Sequence, residues 1–394
     1  MSHAPTPDGP ASRIGGEIPA FCDRLATEQC WRSTWLSFSN GRAALAWLLS
    51  RKPVRAALLC AYTCPSLGAF FRRQNLPIGL FDIGASIDDI LRVAADLPTP
   101  RIVLVPALFG TAPGLDAIAL SLALGARDLV VIDAAQTAFG HMDFPVPPRG
   151  AVLSCPRKTT SLPDGAVLAV AEEVDGLSAT AGLPVVLYSR AMKQAARALW
   201  ATAQPELEAE ALRCHRLAEA SWPDEPHRMS AESQLLLSRF DRAWHTRARR
   251  ANRAVLCSAL RSDLPVWAAA DGSPFNLPIF VEDREELLDR LVASRIFASA
   301  LWPDAERDPH RHPAADWCAR HLVSLPVDQR HDETDMQRIA RVVNETARAP
   351  VTGWPAGLHP LISLRSKPTV SDAAAALPRR EPTIDDDVLA GDVA

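Results

Sequence analysis

Lysine is scarce in this chain of 394 residues. Only four of its 42 cationic side chains are lysine (Lys52, Lys158, Lys193 and Lys367), and the other 38 are arginine. Where a fixed positive charge suffices, guanidinium is used. A lysine kept in a loop therefore points to a task for which a permanently protonated group is unsuited. Other absences narrow the field further. No apolar run reaches the roughly 18 residues that suggest a membrane-crossing helix. The eight cysteines are scattered, without a C-x-x-C pair or zinc-type spacing, which argues against a metal or redox motif. No G-x-G-x-x-G follows the first strand-like run, so the dinucleotide fingerprint is missing. The opening M-S-H-A-P-T-P-D-G-P has no cationic start leading into an apolar run, and the expected location is cytoplasmic. A net charge of −4 gives no basic face for nucleic acid, and the arginines between 247 and 253 read as the solvated face of one helix.

What is present is an alternating pattern. Apolar runs at 56–60, 78–83, 102–106 and 129–132 are separated by helix-like segments at 66–74, 87–96 and 115–124, which argues for crossovers and a mostly parallel sheet. Helical spacing continues over 187–203, 205–220 and 231–261. Then the character changes: strands at 266–269, 276–280, 296–301 and 321–325 and helices at 284–293 and 333–346 suggest a compact α+β unit. The expected division is an amino-terminal arm over 1–30, a large α/β domain over 31–225, a smaller domain over 226–348 and a disordered tail over 349–394.

Two stretches carry candidate chemistry. Residues 150–170 read G-A-V-L-S-C-P-R-K-T-T-S-L-P-D-G-A-V-L-A-V: two short β-rich runs flank a tight connection that carries Lys158. A partly desolvated lysine can lose its proton and attack a carbonyl, although a solvated cation on a turn is the commoner reading. Upstream, D-L-V-V-I-D-A-A-Q places Asp133 at the end of a buried strand, with Gln136 three residues on. Ligands of open α/β sheets bind at such ends. A carboxylate there can pair with the ring nitrogen of pyridoxal phosphate, or it can simply cap a helix. In N-G-R-A-A-L, Asn40 and Gly41 start a helix whose free N–H groups suit a phosphate, although Asn-Gly is also an ordinary cap.

Taken in order, N-G-R-A-A-L (40–45), A-Y-T-C-P-S (61–66), V-I-D-A-A-Q (131–136), S-C-P-R-K with P-D-G (154–165), H-R-M-S-A-E-S (227–233) and S-L-P-V-D-Q-R (324–330) resemble the DegT/StrS family of pyridoxal-phosphate-dependent sugar aminotransferases. The likeness runs from about residue 31 to about residue 347. It implies the type I fold of pyridoxal-phosphate-dependent transferases, with a large α/β domain and a smaller carboxy-terminal α+β domain. It also implies a homodimer and a reaction between an amino donor, expected to be glutamate, and a keto sugar nucleotide or similar small keto acceptor.

By position, the resemblance assigns Lys158 to the cofactor's aldehyde and to proton transfer. Asp133 is assigned to the ring nitrogen and Gln136 to the ring hydroxyl face. Gly41, Arg42 and Ala43, with the Ser154 hydroxyl, are assigned to the cofactor phosphate, and Arg228 to the phosphate in a neighbouring subunit. The sequence departs from the family at three places. Ser154 stands four positions before the lysine instead of five. Cys64 occupies a position where many members have a ring-stacking Phe or Trp, leaving that part to Tyr62 or to nothing. Pro156 and Arg157 replace a common loop histidine. Two further readings use the same residues: another pyridoxal-phosphate reaction (elimination, dehydration or acyl condensation), and a non-catalytic binding or sensor protein. Whether Trp302 and Arg330 touch substrate or only pack is open on the sequence.

Overall fold

The computed structural model describes residues 13–18, 23–27, 30–111, 113–137, 139–171, 184–202, 204–267, 273–351, 353–358 and 362–363. In chain order these form β1 (Ile14–Gly15), β2 (Trp35–Phe38), α1 (Gly41–Arg51), β3 (Ala56–Cys60), α2 (Pro65–Arg73), β4 (Ile78–Phe81), α3 (Ile87–Ala95), β5 (Arg101–Pro106), α4 (Ala117–Ala123), β6 (Leu129–Ala134), α5 (Gly140–Asp143), β7 (Gly150–Ser154) and β8 (Ala166–Val170). The second half contributes α6 (Pro184–Ala201), α7 (Glu208–Ser221), α8 (Ala231–Arg239), α9 (Arg242–Ala259), β9 (Val266–Trp267), β10 (Asn276–Phe280), α10 (Arg284–Ala293), β11 (Ile296–Phe297), α11 (Pro313–His321), β12 (Leu322–Pro326), α12 (Glu333–Thr346) and β13 (Ile362–Ser363). Among the described residues, no helix is long and apolar enough to cross a membrane.

A seven-stranded sheet in the order β2-β8-β7-β6-β5-β3-β4 forms the centre. The run from β7 through β4 is parallel throughout, and β8 is antiparallel to both its neighbours. Its strands read as near-continuous apolar runs because both faces are covered. Leu59, Leu104, Val131 and Leu153 meet Leu45 of α1 and Phe70 of α2 on one face. On the other, Val103, Val130, Ile132 and Val152 meet Ile90 of α3 and Leu120 of α4. A second sheet, β12-β10-β9-β13, is antiparallel at every pairing. Phe280 and Trp267 from it join the core shared with the large sheet, while Leu277 and Ile279 pack with α9, α10 and α12.

The α/β sheet with flanking helices is therefore as expected, and β3, β10, α10 and α12 match the sequence reading to the residue. Two expectations are corrected, over 296–301 and in the tail, and the arm's contacts are placed. The strand expected over 296–301 stops at Phe297, and a single bridge from Ser299 to Ser324 follows. The described parts of the amino-terminal arm fold back on their own chain: β1 pairs with β11, and Glu17 and Asp23 are tied to α6 and to the lysine loop. Within the expected tail, Trp354 packs edge-on against Trp317, and β13 extends the second sheet. The rest of that tail and the last two residues of the strand expected over 266–269 lie outside the described residues.

Candidate functional site

An open cleft lies at the carboxyl ends of β5, β6 and β7, on the α1/α2 face of the large sheet. This is where an open parallel sheet offers loops and helix ends to a ligand. Lys158, Asp133, Gln136, Gly41, Arg42 and Cys64 all line it. These residues are scattered over more than 100 positions of the sequence, and the fold brings them together.

Side-chain alternation fixes who faces the cleft. Asp133 pairs in register with Leu153 and shares its face. Its carboxylate accepts one hydrogen bond among the described residues, from Ala135 N–H at 3.1 Å. Burial raises its pKa, and the Lys158 ammonium pulls the other way. Gln136 is buried, its Oε1 accepting from Phe109 N–H at 2.8 Å. Lys158 itself is exposed, while Pro156, Arg157, Thr159 and Thr160 around it are buried. The tight connection is as expected, but Lys158 is not the desolvated lysine of that reading: its side chain is exposed and opens into the cleft.

The lysine loop is strapped from several directions. Pro156–Lys158 form a short 3-10 turn. Arg197 of α6 donates through Nη2 to Arg157 O (3.0 Å) and Thr160 O (3.2 Å), and through Nη1 to Ser161 O. Thr159 O receives His245 Nε2, Arg249 Nη2 and Gln329 Nε2, each at 3.1 Å. Asp23 accepts from Ser161 N–H at 2.6 Å. Arg157 forms two hydrogen bonds with Glu219, at 2.7 and 3.1 Å. Arg249 overturns part of the solvated-face reading of residues 247–253: it is only 2% exposed and also donates to Pro274 O, Phe275 O and Gln329 Oε1. Its sequence signal is nil, since an arginine among arginines on a helix gives no sign of which one turns inward. Arg197, Glu219, His245 and Gln329 escaped because their contacts with the lysine loop join residues 40 to 170 positions apart, which no local pattern records.

At the other end of the cleft, α1 and α2 both present their amino termini: Gly41 begins one, and Ser66 and Leu67 lie in the first turn of the other. Free N–H groups there favour an anion. Here several expectations are corrected. Asn40 Oδ1 accepts from both Arg42 N–H (2.9 Å) and Ala43 N–H (3.1 Å), so the ordinary cap has claimed those two amides, and the Ala43 side chain lies in the core. Arg42 turns its guanidinium to Asp224 at 2.8 Å and to Trp222 O. Ser154 does not line the cleft. It projects to the opposite face of the sheet, where its hydroxyl lies 2.6 Å from His141 Nδ1, and burial pulls His141 down to about 3, leaving it neutral. The one-residue shortening before the lysine is the physical reason, because a shift of one position on a strand reverses the face. Tyr62 is wholly buried and donates to Leu301 O at 2.9 Å; it is not on the cleft wall. Trp302 is. Arg228 is exposed, outside the cleft of its own chain, with its backbone bridged to Phe38. Arg330 forms an ion pair with Asp328 at 2.7 Å, also outside the cleft.

The donor set fits pyridoxal phosphate. A carboxylate held at the cleft with a single hydrogen bond suits a protonated ring nitrogen, and an exposed amine stands in the same cleft. The two helix starts, at Gly41 and Ser66, suit the phosphate. A Cβ on Gly41 would come within 3.1 Å of Cys155 Sγ, so glycine keeps that wall open.

Comparison with solved structures agrees with this architecture. DesI, described in the presence of its TDP-sugar product, matches with a TM-score of 0.54 at 16% identity, over 79% of this chain and 80% of its own. The sugar aminotransferase CalS13 from Micromonospora echinospora matches with a TM-score of 0.52 at 18% identity, over 79% and 87%. The fold is that of the sugar aminotransferases. 3-Amino-5-hydroxybenzoic acid synthase shares it, with a TM-score of 0.52 at 15% identity over 79% and 85%. No family model matches the chain, and no curated protein matches it in sequence.

Proposed function

We propose that this chain is a pyridoxal-phosphate-dependent aminotransferase of the DegT/StrS type. It moves an amino group from an amino acid, with glutamate the donor to test first, to a keto group on a nucleotide-linked sugar or similar small acceptor. The observation that carries the reading is a single cleft at the strand ends in which the Lys158 amine and the Asp133 carboxylate face the same space. The TDP-sugar product of DesI supports the acceptor class.

When bound, the cofactor supplies an electron sink for cleaving a bond at the donor's α-carbon. The chain's residues supply the rest. Asp133 holds a proton at the ring nitrogen. Gln136, its Oε1 already committed to Phe109 N–H, offers its amide nitrogen to the ring hydroxyl side. Lys158 takes and returns a proton at Nζ, and its strapped loop keeps that atom in place. Gly41 N–H and the first turn of α2 receive the phosphate. Arg228, exposed and outside its own cleft, serves the phosphate of a second subunit, so the active form is a homodimer.

Loaded with pyridoxal phosphate, the protein should absorb in the near-ultraviolet to visible range, and Lys158→Ala should lose that band. Glutamate should shift the wild-type spectrum as the amino group moves to the cofactor. An unchanged band in Lys158→Ala ends the proposal.

A further inference from the structure

We infer that Trp302 is the residue that covers the cofactor ring in this cleft, a part the sequence had left to Tyr62 or to nothing; the inference rests on the function just proposed. Trp302 is the only aromatic side chain among the described residues that line the cleft. A planar, electron-poor ring bound beside Lys158 and Asp133 therefore has one aromatic side chain, among the described residues, to pack against, and such rings pack favourably on an indole.

The backbone supports the same assignment. Trp302 has a φ of 50°, a left-handed conformation that bulky residues rarely adopt. Such strain persists only where the surroundings over-determine it, and it clusters at ligand sites. Here the surroundings are identifiable. The Tyr62 hydroxyl donates to Leu301 O at 2.9 Å, which pins the residue just before the strained turn. The Tyr62 ring meets the indole at 5.2 Å and 62°. Ala305 N–H donates to Trp302 O at 3.1 Å, closing the turn from the other side. Tyr62 is wholly buried and lies two residues past the end of β3 and two residues before Cys64, which also lines the cleft. The indole is thus keyed to a strand end of the large sheet while remaining half-buried. Tyr62, on this view, sets the place of the ring that does the covering.

The test uses the full chain with Trp302→Phe, Trp302→Leu and Trp302→Ala. Affinity for pyridoxal phosphate is titrated by absorbance and by induced circular dichroism, and thermal unfolding is followed without cofactor. Phe should bind within about 3-fold of wild type. Leu and Ala should bind about 10-fold or more weakly, the scale of losing one ring-on-ring contact. Leucine keeps apolar bulk, so it separates loss of the ring from loss of packing, and the Phe/Leu pair decides the question should the Ala variant not fold. Unchanged affinity in the Leu variant overturns the assignment, as does a loss with Phe equal to that with Leu. A wild-type protein that forms no Lys158-dependent band overturns the function itself, and this assignment with it. A wild-type band with unaltered variants overturns this assignment alone.

Discussion

Replacing Arg197 by methionine tests whether the lysine loop is held from behind or merely rests on the fold. Arg197 is buried, and its guanidinium spans three backbone carbonyls, at residues 157, 160 and 161, on both sides of Lys158. It also lies 3.4 Å from Glu17. Methionine keeps much of the length and none of the donors. Each buried acceptor left without a partner costs about 1–3 kcal/mol. Three of them, partly relieved by water and not fully additive, put the loss at roughly 3–6 kcal/mol. Arg197→Lys retains the charge beside Glu17 but has no planar fork, and it should recover less than half of that loss. Two assays report on it: denaturant-induced unfolding for the global cost, and hydrogen exchange over residues 156–165 for the local one. Exchange there should quicken in Arg197→Met while the strands β3 to β6 keep their protection, and reduction-trapped labelling of Lys158 by pyridoxal phosphate should fall. A variant within about 0.5 kcal/mol of wild type, with unaltered exchange in the loop, refutes the strap.

Two further outcomes follow from the same geometry. Gly41→Ala places a methyl group 3.1 Å from Cys155 Sγ, so cofactor affinity should drop several-fold, and adding Cys155→Ala should restore part of it; no rescue by the double variant counts against Gly41 as a cleft wall. Acid should loosen the strap. Burial, the largest single influence, would raise the pKa of Glu17 and of Glu219, but Lys193, His215 and Arg197 around the first and Arg157, Lys193 and His215 around the second together outweigh it, and both end below the ordinary carboxylate range. Groups with depressed folded-state values contribute stability that is present above the unfolded value of about 4.3 and is lost as pH falls through the folded values. Protection factors over 156–165, taken against the intrinsic exchange rate at each pH, should therefore fall below about pH 4.3, and Glu219→Gln should remove part of that dependence; protection that stays flat down to about pH 3 contradicts that sign.

How much of this was readable in the sequence follows from which forces leave a pattern. The parallel strands, apolar on both faces and bounded by helices with clear starts, announced the sheet and its order of elements. Ser86 and Asp89 form a capping box that begins α3, and such local signals are what sequence carries best. Asp133 and Lys158 were legible because each sits at the end of such a strand. What stayed hidden depends on contacts across long separations. Pro313–His321 is a short helix begun by a proline after an irregular stretch, and Asp82, far upstream, caps it through Ala314 N–H and Ala315 N–H. Ser154 was misassigned because its role was carried over by residue type, whereas standing four positions before the lysine instead of five puts it on the other face of β7, against His141. Arg249 turned inward because three carbonyls await it there, a fact set by the fold and not by its neighbours in sequence.

The scarcity of lysine acquires a physical meaning at the cleft. Three cationic residues line it: Arg42, Arg157 and Lys158. The two arginines are already committed, Arg42 to Asp224 at 2.8 Å and Arg157 to Glu219 at 2.7 Å, and their guanidinium groups remain charged throughout. They settle the charge of the surrounding wall without competing for the proton that an amine must be able to release. Asp133 in turn has no arginine partner among the described residues, only the Ala135 amide and the field of Lys158. A guanidinium at position 158 would stay charged and could not release a proton. With lysine, Lys158 and Asp133 are, among the described residues that line the cleft, the opposed charges not already closed by a salt bridge, which is the state the proposed function requires of them.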